Sequence, residues 1–216
     1  MLRILCVSMV LVCVAASSAL AQVCAGGAAF SGAPLQVGGG VGFTERAQVN
    51  GASFGGGTDT GFGLLSVGGL TVDGVNDTAL SVGATMGADP VVGGNGRVRV
   101  CPLGTLTYLR GPDTGDLHSA TLDLKIGGRL GVVAAQSTNV QLIPTVGLSF
   151  VYTRLMLRPP EPLNNLTEAD TYGVASLGAG LVFNRRIAIT PLVSLPLFLG
   201  EETPEFSLGL SVNFGH

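Results

Sequence analysis

The sequence contains no tryptophan, few aromatic residues (6%) and few charged residues (12%) among its 216 positions. Its formal net charge of −3 gives no basic surplus, so nucleic acid is not a predicted partner. After the first 21 residues, no apolar run approaches the roughly 20 residues that a membrane-spanning helix needs. The two histidines and four cysteines do not have the spacing of a metal cluster. No cofactor is therefore predicted, and any crossing of a membrane must be made by strands.

What the sequence has instead is abundant glycine and evenly spread apolar residues. It contains 34 glycines, and its mean hydropathy is +0.52. Apolar residues recur at every second position in short segments, which is the period of a β-strand. No helical spacing of three and four is sustained, and glycine and serine make long helices costly. The pattern predicts an all-β chain.

The first 21 residues are typical of a cleaved signal peptide. Arg3 precedes an apolar run that ends in the small-x-small pattern Ala19-Leu20-Ala21, which signal peptidase recognises. We expect the mature chain to begin at Gln22. An uncleaved membrane anchor is the alternative. The segment predicts export from the cytoplasm.

Residues 35–216 divide into about ten segments with period-two alternation, separated by turn residues, which predicts an antiparallel up-and-down sheet. Eight strands is the alternative count. The segment at 49–56 gives the weakest signal, and the segment at 120–132 the clearest. In the clearest segment an apolar set alternates with a polar set, namely Leu122, Leu124, Ile126, Leu130 and Val132 against Thr121, Asp123, Lys125 and Arg129.

The connections between these segments alternate in kind. Short connections such as QSTN and NRR alternate with longer acidic ones such as RPPEPLNNLTEAD. Membrane barrels have this arrangement of short periplasmic turns and longer external loops. The loops assigned to the outside contain the acidic residues Asp73, Asp77, Asp113, Asp116, Glu161, Glu168, Asp170, Glu201, Glu202 and Glu205. They predict a negative potential at the external face.

The last segment ends in a more specific pattern. Its apolar positions are Phe206, Leu208, Leu210, Val212 and Phe214, alternating with serine, glycine and asparagine. This series resembles the carboxy-terminal signature of bacterial outer-membrane β-barrel proteins, in which alternating apolar residues lead to an aromatic residue near the end. Here Gly215 and His216 follow the aromatic residue.

In layout, the mature chain is similar to the small outer-membrane barrel-domain family. The resemblance implies a single transmembrane β-barrel over residues 35–216, located in the outer membrane. It also implies insertion by the barrel assembly machinery and surroundings of outer-membrane lipid and lipopolysaccharide.

In such a barrel the polar faces of the strands line the lumen. Five charged residues are then expected inside, where they would pair: Arg97, Arg99, Asp123, Lys125 and Arg129. In the alternative, a secreted soluble β-sandwich, the same charges would lie on the solvated surface.

Two features agree less well with a barrel. Four prolines lie within predicted strands, where proline removes a donor from the hydrogen-bond ladder: Pro102, Pro144, Pro191 and Pro196. The interfacial girdle of aromatic residues is thin, and its candidates are Tyr108, Tyr152, Phe43, Phe183 and Phe214.

Cys24 and Cys101 remain after cleavage of the signal peptide, an even pair in a compartment where disulfides form. A bridge between them would draw the segment at 22–34 into the periplasmic half of the lumen as a small plug. Two free thiols are the alternative.

Three functions are open on this evidence. The first is a structural or surface-contact barrel with a filled lumen, and the second is a small channel or transporter that favours anions because of its lumenal cations. The third is a secreted soluble binding protein. His118 lies near Asp113 and Asp116 in the sequence, and this combination of histidine and aspartate resembles in a generic way the outer-membrane omptin proteases. No second carboxylate pair accompanies it, so no enzymatic activity is predicted.

Overall fold

A computed structural model shows the chain as a closed antiparallel β-barrel. The structure describes residues 35–58, 61–74, 78–88, 91–93, 98–111, 118–137, 139–158, 166–184, 186–197 and 203–214. The predicted signal peptide, the segment at 22–34, Cys24 and Arg97 lie outside the described residues.

Ten long strands form the wall of the barrel. Two short strands lie at its rim, where β5 pairs with β6 and β8 pairs with β9. In chain order the strands are β1 Leu35–Phe43, β2 Ala47–Gly57, β3 Gly61–Val72, β4 Thr78–Ala88, β5 Val91–Gly93, β6 Val98–Arg110, β7 His118–Val132, β8 Ala135–Gln136, β9 Val140–Arg158, β10 Leu166–Phe183, β11 Ile187–Leu197 and β12 Glu205–Phe214. The part of the chain that the structure describes contains no helix long and apolar enough to cross a membrane.

The ring closes between the first and last strands. Each long strand pairs with the next long strand along the chain, and β1 pairs with β12. The closing register runs from Leu35 opposite Phe214 to Phe43 opposite Phe206. The prediction of an antiparallel up-and-down barrel with ten strands is confirmed, and the alternative count of eight is wrong. The weakly predicted segment at 49–56 lies within the full-length strand β2.

The large apolar side chains lie on the outside of the barrel. Phe150, Met86 and Leu177 are 69%, 68% and 67% exposed, and they belong to three different strands. The alternate positions face inward and include buried polar residues such as Gln36 and Ser211. A soluble β-sandwich is not favoured, because it would bury its large apolar residues. A closed barrel with an apolar outer belt and a polar interior is the architecture that spans the outer membrane, and we place the chain there.

Exposed aromatic residues lie toward both ends of this belt, as in the girdles of membrane barrels. Those toward one end are Phe43, Phe206, Tyr108 and Tyr152, and those toward the other are Phe54 and Phe214, with the half-buried Phe183 beside them.

The two ends of the barrel differ in their connections. The end that holds Leu35 and Phe214, here called the turn end, has the connections 58–60, 89–97, 133–139 and 184–186. The opposite end, the loop end, has 44–46, 73–77, 111–117, 159–165 and 198–204. The predicted alternation of length is incomplete, because 44–46 is short and because β5 and β8 lie in two of the turn-end connections. Gly74 and Asn184 have left-handed φ angles of 82° and 49°, which suit these residue types in turns.

Strands β9 and β10 are the longest, with 19 and 18 residues, and β10 extends beyond its neighbour β11 at the loop end. Within the described residues β10 first pairs with β11 at Gly173, so residues 166–172 pair with β9 alone. We call residues 166–172 the β10 extension. Glu168 and Asp170 lie in it, and Glu205 begins β12. The prediction that placed these three carboxylates in loops is wrong.

Each strand proline lies where a hydrogen-bond ladder ends or is interrupted. Pro102 lies between the β4–β6 and β5–β6 pairings, and Pro144 is one residue past the last β7–β9 pair. Pro191 lies in a gap of the β10–β11 ladder, and Pro196 lies beyond the last β11–β12 pair. The missing N–H therefore falls where one neighbouring strand has no ladder position to fill.

Candidate functional site

The inner faces of β6 and β7 position the charged side chains of the lumen. Asp123, Lys125 and Arg129 are separated by even intervals on β7 and therefore lie on one face of the strand. Arg99 on β6 is only 4% exposed. Arg97, the fifth predicted charge, lies outside the described residues.

The lumen is closed at the turn end. Gln36, Ser211 and Asn213 face inward there and are only 2%, 1% and 4% exposed. Beside this polar group lies a buried apolar cluster of Val133, Ile143, Val182 and Ala188. Solvent therefore barely reaches these inward-facing side chains at the turn end.

The loop half of the lumen is open by comparison. Two cavities, of about 420 and 370 Å³, both include Val49 and Glu205 in their linings. The larger is also lined by Asp123, Lys125 and Tyr172. Val49 faces inward, opposite Gly42 and Leu70, yet it is 41% exposed. The lumen is thus a vestibule that opens toward the loop end and ends in a closed floor.

The charges of the vestibule do not pair closely. Lys125 and Glu205 line the same cavity, and each lies within electrostatic range of the other. No salt bridge joins Asp123, Lys125 or Arg129 to another described residue, and one carboxylate oxygen of Asp123 is buried without a hydrogen-bond partner. Among these three residues the predicted pairing is not seen, and for Arg97 and Arg99 it stays a prediction. Half-buried charges of this kind favour water, ions or polar solutes in the cavity.

Glycines on the inner face make room for two of these charges. A Cβ atom at Gly147 would lie 2.9 Å from Arg129 Cγ, which is too close for a real contact. A Cβ atom at Gly42 would lie 3.1 Å from Glu205 Oε1. Most of the charged residues project from β6 and β7, whereas the wall of β1 to β3 carries inward glycines. The vestibule is therefore lined by charged side chains on one side and mainly by glycines on the other.

Sequence reasoning missed Glu205 and Tyr172 as lumen residues. The acidic surroundings of Glu205 at 201–205 are typical of a loop. Its parity with Ser207 and Gly209 was the available signal, because these positions form the inward face of β12. No such alternation indicates the position of Tyr172, because the segment before it is polar and acidic and has no alternating apolar residues.

Cys101 lies on the inner face of β6, with no exposed surface, and Phe62 and Leu103 pack against it. Its sulfur is disulfide-bonded in the structure. The remaining cysteines all belong to the first 34 residues. The pairing with Cys24 therefore stays a prediction, as does the plug at 22–34.

His118 is the first residue of β7 and is exposed, at a position that alternates to the outer face. Asp113 and Asp116 lie outside the described residues. Within the part of the chain that is described, no group of three histidine, cysteine or acidic residues is placed to hold a metal ion.

Neither a protein-family model nor a curated protein matches this sequence. Among solved structures, the chain is similar to the N-terminal β-barrel domain of Pseudomonas aeruginosa OprF, with 12% identity, a TM-score of 0.39, and coverage of 85% of this chain and 98% of that one. It is similar to Ail, the attachment invasion locus protein of Yersinia pestis, with 8% identity, a TM-score of 0.41, and coverage of 85% and 98%. It is also similar to the KdgM porin, with 11% identity, a TM-score of 0.38, and coverage of 83% and 99%.

Proposed function

We propose that the protein is a non-conducting outer-membrane barrel that makes contacts at the cell surface through its loop end. The observation that carries this proposal is the closed floor of the lumen. Inward-facing residues at the turn end, among them Gln36, Ser211 and Ile143, are 2% exposed or less. A continuous water path needs solvent at every level of the lumen, so this floor favours a structural or contact role over transport.

The β10 extension is the best candidate for the contact surface. Residues 166–171 are exposed, and their backbone pairs with β9 on one side only within the described chain. An unpaired strand edge offers main-chain donors and acceptors to an extended partner segment. Glu168 and Asp170 on this edge would discourage unspecific strand addition, and they favour a partner with basic side chains.

A small anion-favouring channel is the second candidate, because Lys125 lines the vestibule and Arg129 lies on the same inner face of β7. Asp123 and Glu205 lie in the same vestibule and offset much of that positive charge. In addition, a ten-stranded barrel leaves little free lumen once side chains fill it. The channel would require the floor to open.

Planar-bilayer recording tests the proposal. Purified protein, shown to be folded by a shift in gel mobility between unboiled and boiled samples, is added to a bilayer beside a general porin as a positive control. We expect the porin to give discrete conductance steps and this protein to give none.

Stable steps from the folded protein would contradict the non-conducting role. The Lys125→Glu variant would then identify the path. A change of its reversal potential in a salt gradient toward cation preference would show that the current passes through the vestibule and not through a bilayer defect.

A further inference from the structure

On the part of the outer wall whose side chains the structure describes, basic residues occur in only one place. Among the strand residues whose side chains the structure describes and whose parity directs them outward, the basic ones are Arg110, His118 and Arg154. All three are exposed, and they lie on the neighbouring strands β6, β7 and β9 at the loop end. Here they are called the basic patch.

The strand register brings the basic patch together. Arg110 lies opposite Ala120, which lies opposite Met156 on the other side, and Arg154 lies opposite Leu122. Because β7 separates β6 from β9, Arg110 and Arg154 are two strands apart and offset by two residues along the strands, roughly 12 Å between their Cα atoms. Long guanidinium side chains can converge over such a distance.

A shallow cavity of about 380 Å³ lies within the basic patch. Its lining combines cationic, hydroxyl and apolar groups: Tyr108, Arg110, His118, Ser119, Ala120 and Met156. None of the described residues that line this cavity is acidic. The cavity therefore favours a ligand that is anionic at one end and apolar at the other.

The position of the patch along the barrel gives the identity of that ligand. A cation on the lipid-facing wall costs roughly 2–4 kcal/mol at the bilayer midplane and much less near the interface. Tyr108 beside Arg110 is an amphipathic aromatic residue of the kind that lies at headgroup level. The patch thus lies where the loop end meets the headgroups of the outer leaflet.

We propose that Arg110, His118 and Arg154 bind the phosphate group of an anionic lipid of the outer leaflet. Guanidinium groups match phosphate geometry through paired hydrogen bonds. Tyr108 and Met156 supply the adjoining apolar surface for the non-phosphate part of the lipid. A lipid is favoured over free phosphate because this wall faces the membrane and because half of the cavity lining is apolar. The site does not depend on whether the lumen conducts.

The test measures lipid-induced stabilisation of the full-length protein refolded in a nonionic detergent. Three ligands are titrated separately: lipopolysaccharide, the same lipopolysaccharide after enzymatic removal of its phosphates, and inorganic phosphate. The proteins compared are the wild type, the double variant Arg110→Gln with Arg154→Gln, and Arg46→Gln as a matched control. Arg46 is an exposed loop-end cation of the β1–β2 connection, on the far side of the ring.

We expect phosphorylated lipopolysaccharide to raise the unfolding temperature of the wild type and of Arg46→Gln. The double variant should need at least tenfold more lipid for the same rise, and the dephosphorylated form should have little effect on any protein. An equal response of the double variant and the wild type would overturn the proposal, as would equal binding of the dephosphorylated lipid.

A full response to inorganic phosphate alone would show that the site binds the free ion, and it would contradict a lipid site. A mobility shift between unboiled and boiled samples establishes that the double variant is folded. If that variant does not fold, Arg154→Gln alone is compared by native mass spectrometry, where it should retain less bound lipid than Arg46→Gln.

Discussion

At the scale of single residues, glycine determines how closely strands approach on the inner face. A Cβ atom at Gly127 would meet the carbonyl oxygen of Leu148 and would lie 2.6 Å from Ser149 Cα. These are backbone atoms, which cannot move aside as the end of a side chain can. At Gly63, on the outer face of β3, an added Cβ atom would meet nothing within 4 Å. The two glycines therefore have different physical roles in the same wall.

We expect Gly127→Ala to lower the free energy of unfolding by about 1–3 kcal/mol, the usual cost of overpacking a close contact. Gly63→Ala should leave stability within about 0.5 kcal/mol of the wild type. Urea unfolding followed by circular dichroism and by gel mobility measures both, since the chain has no tryptophan to report fluorescence. Equal stabilities for the two variants would show that β7 and β9 separate easily at this point.

For single residues, the sequence predicted the strand face on which a side chain lies but not the residue with which it pairs. The alternation around Asp123 and Lys125 predicts that both share one face, and they line one cavity. The alternation does not predict that they remain without a salt bridge, because the distance across a lumen depends on barrel diameter and strand tilt. Glu205 was missed for a related reason. An acid at a strand start has the same local sequence as an acid in a loop.

At the scale of strands, period-two alternation predicted the ten wall strands because lipid on one side and a polar lumen on the other impose it. This alternation is lost where a strand extends beyond the membrane, so the strand is not predicted there. The β10 extension at 166–172 has no apolar face to maintain, so its sequence reads as an acidic loop, although its backbone pairs regularly with β9. The short strands β5 and β8 were not predicted, because segments of three and two residues are too short to show a period.

The strand that closes the barrel gives a prediction at this scale. β12 pairs with both β11 and β1, and Phe214 lies opposite Leu35 and is 49% exposed on the lipid-facing side. Deletion of residues 214–216 removes this contact from the closing seam and shortens the assembly signal. We expect it to reduce the membrane-inserted, heat-modifiable form far more than deletion of His216 alone. Equal yields in washed membranes for the two deletions would argue against a role of Phe214 in closure.

At the scale of the whole molecule, the barrel combines an apolar outside, an open vestibule at one end and a closed floor at the other. The closed floor was expected from the sequence only through the predicted plug, which depends on a disulfide. The wall itself contributes to it, because residues from β1, β9, β10, β11 and β12 converge at the turn end in the buried group of Gln36, Ile143, Val182, Ala188, Ser211 and Asn213. Such convergence depends on strand tilt and stagger, which the alternation of a single strand does not encode.

The disulfide links these observations in a last prediction. Cys101 has no exposed surface and is disulfide-bonded, and Cys24 is the only other cysteine expected in the mature chain. A Cys24–Cys101 bridge closes a loop of about 77 residues, for which chain entropy allows roughly 4 kcal/mol of stabilisation, reduced by any strain. We expect peptide mapping of non-reduced protein to find the two cysteine fragments linked. Cys24→Ser should lower the unfolding temperature, and Cys24→Ser with Cys101→Ala should lower it little further, since one bridge is lost in both and alanine buries no polar group beside Phe62 and Leu103. Two alkylatable thiols in protein purified without reductant would contradict the bridge, and with it the plug that the bridge would hold in the lumen.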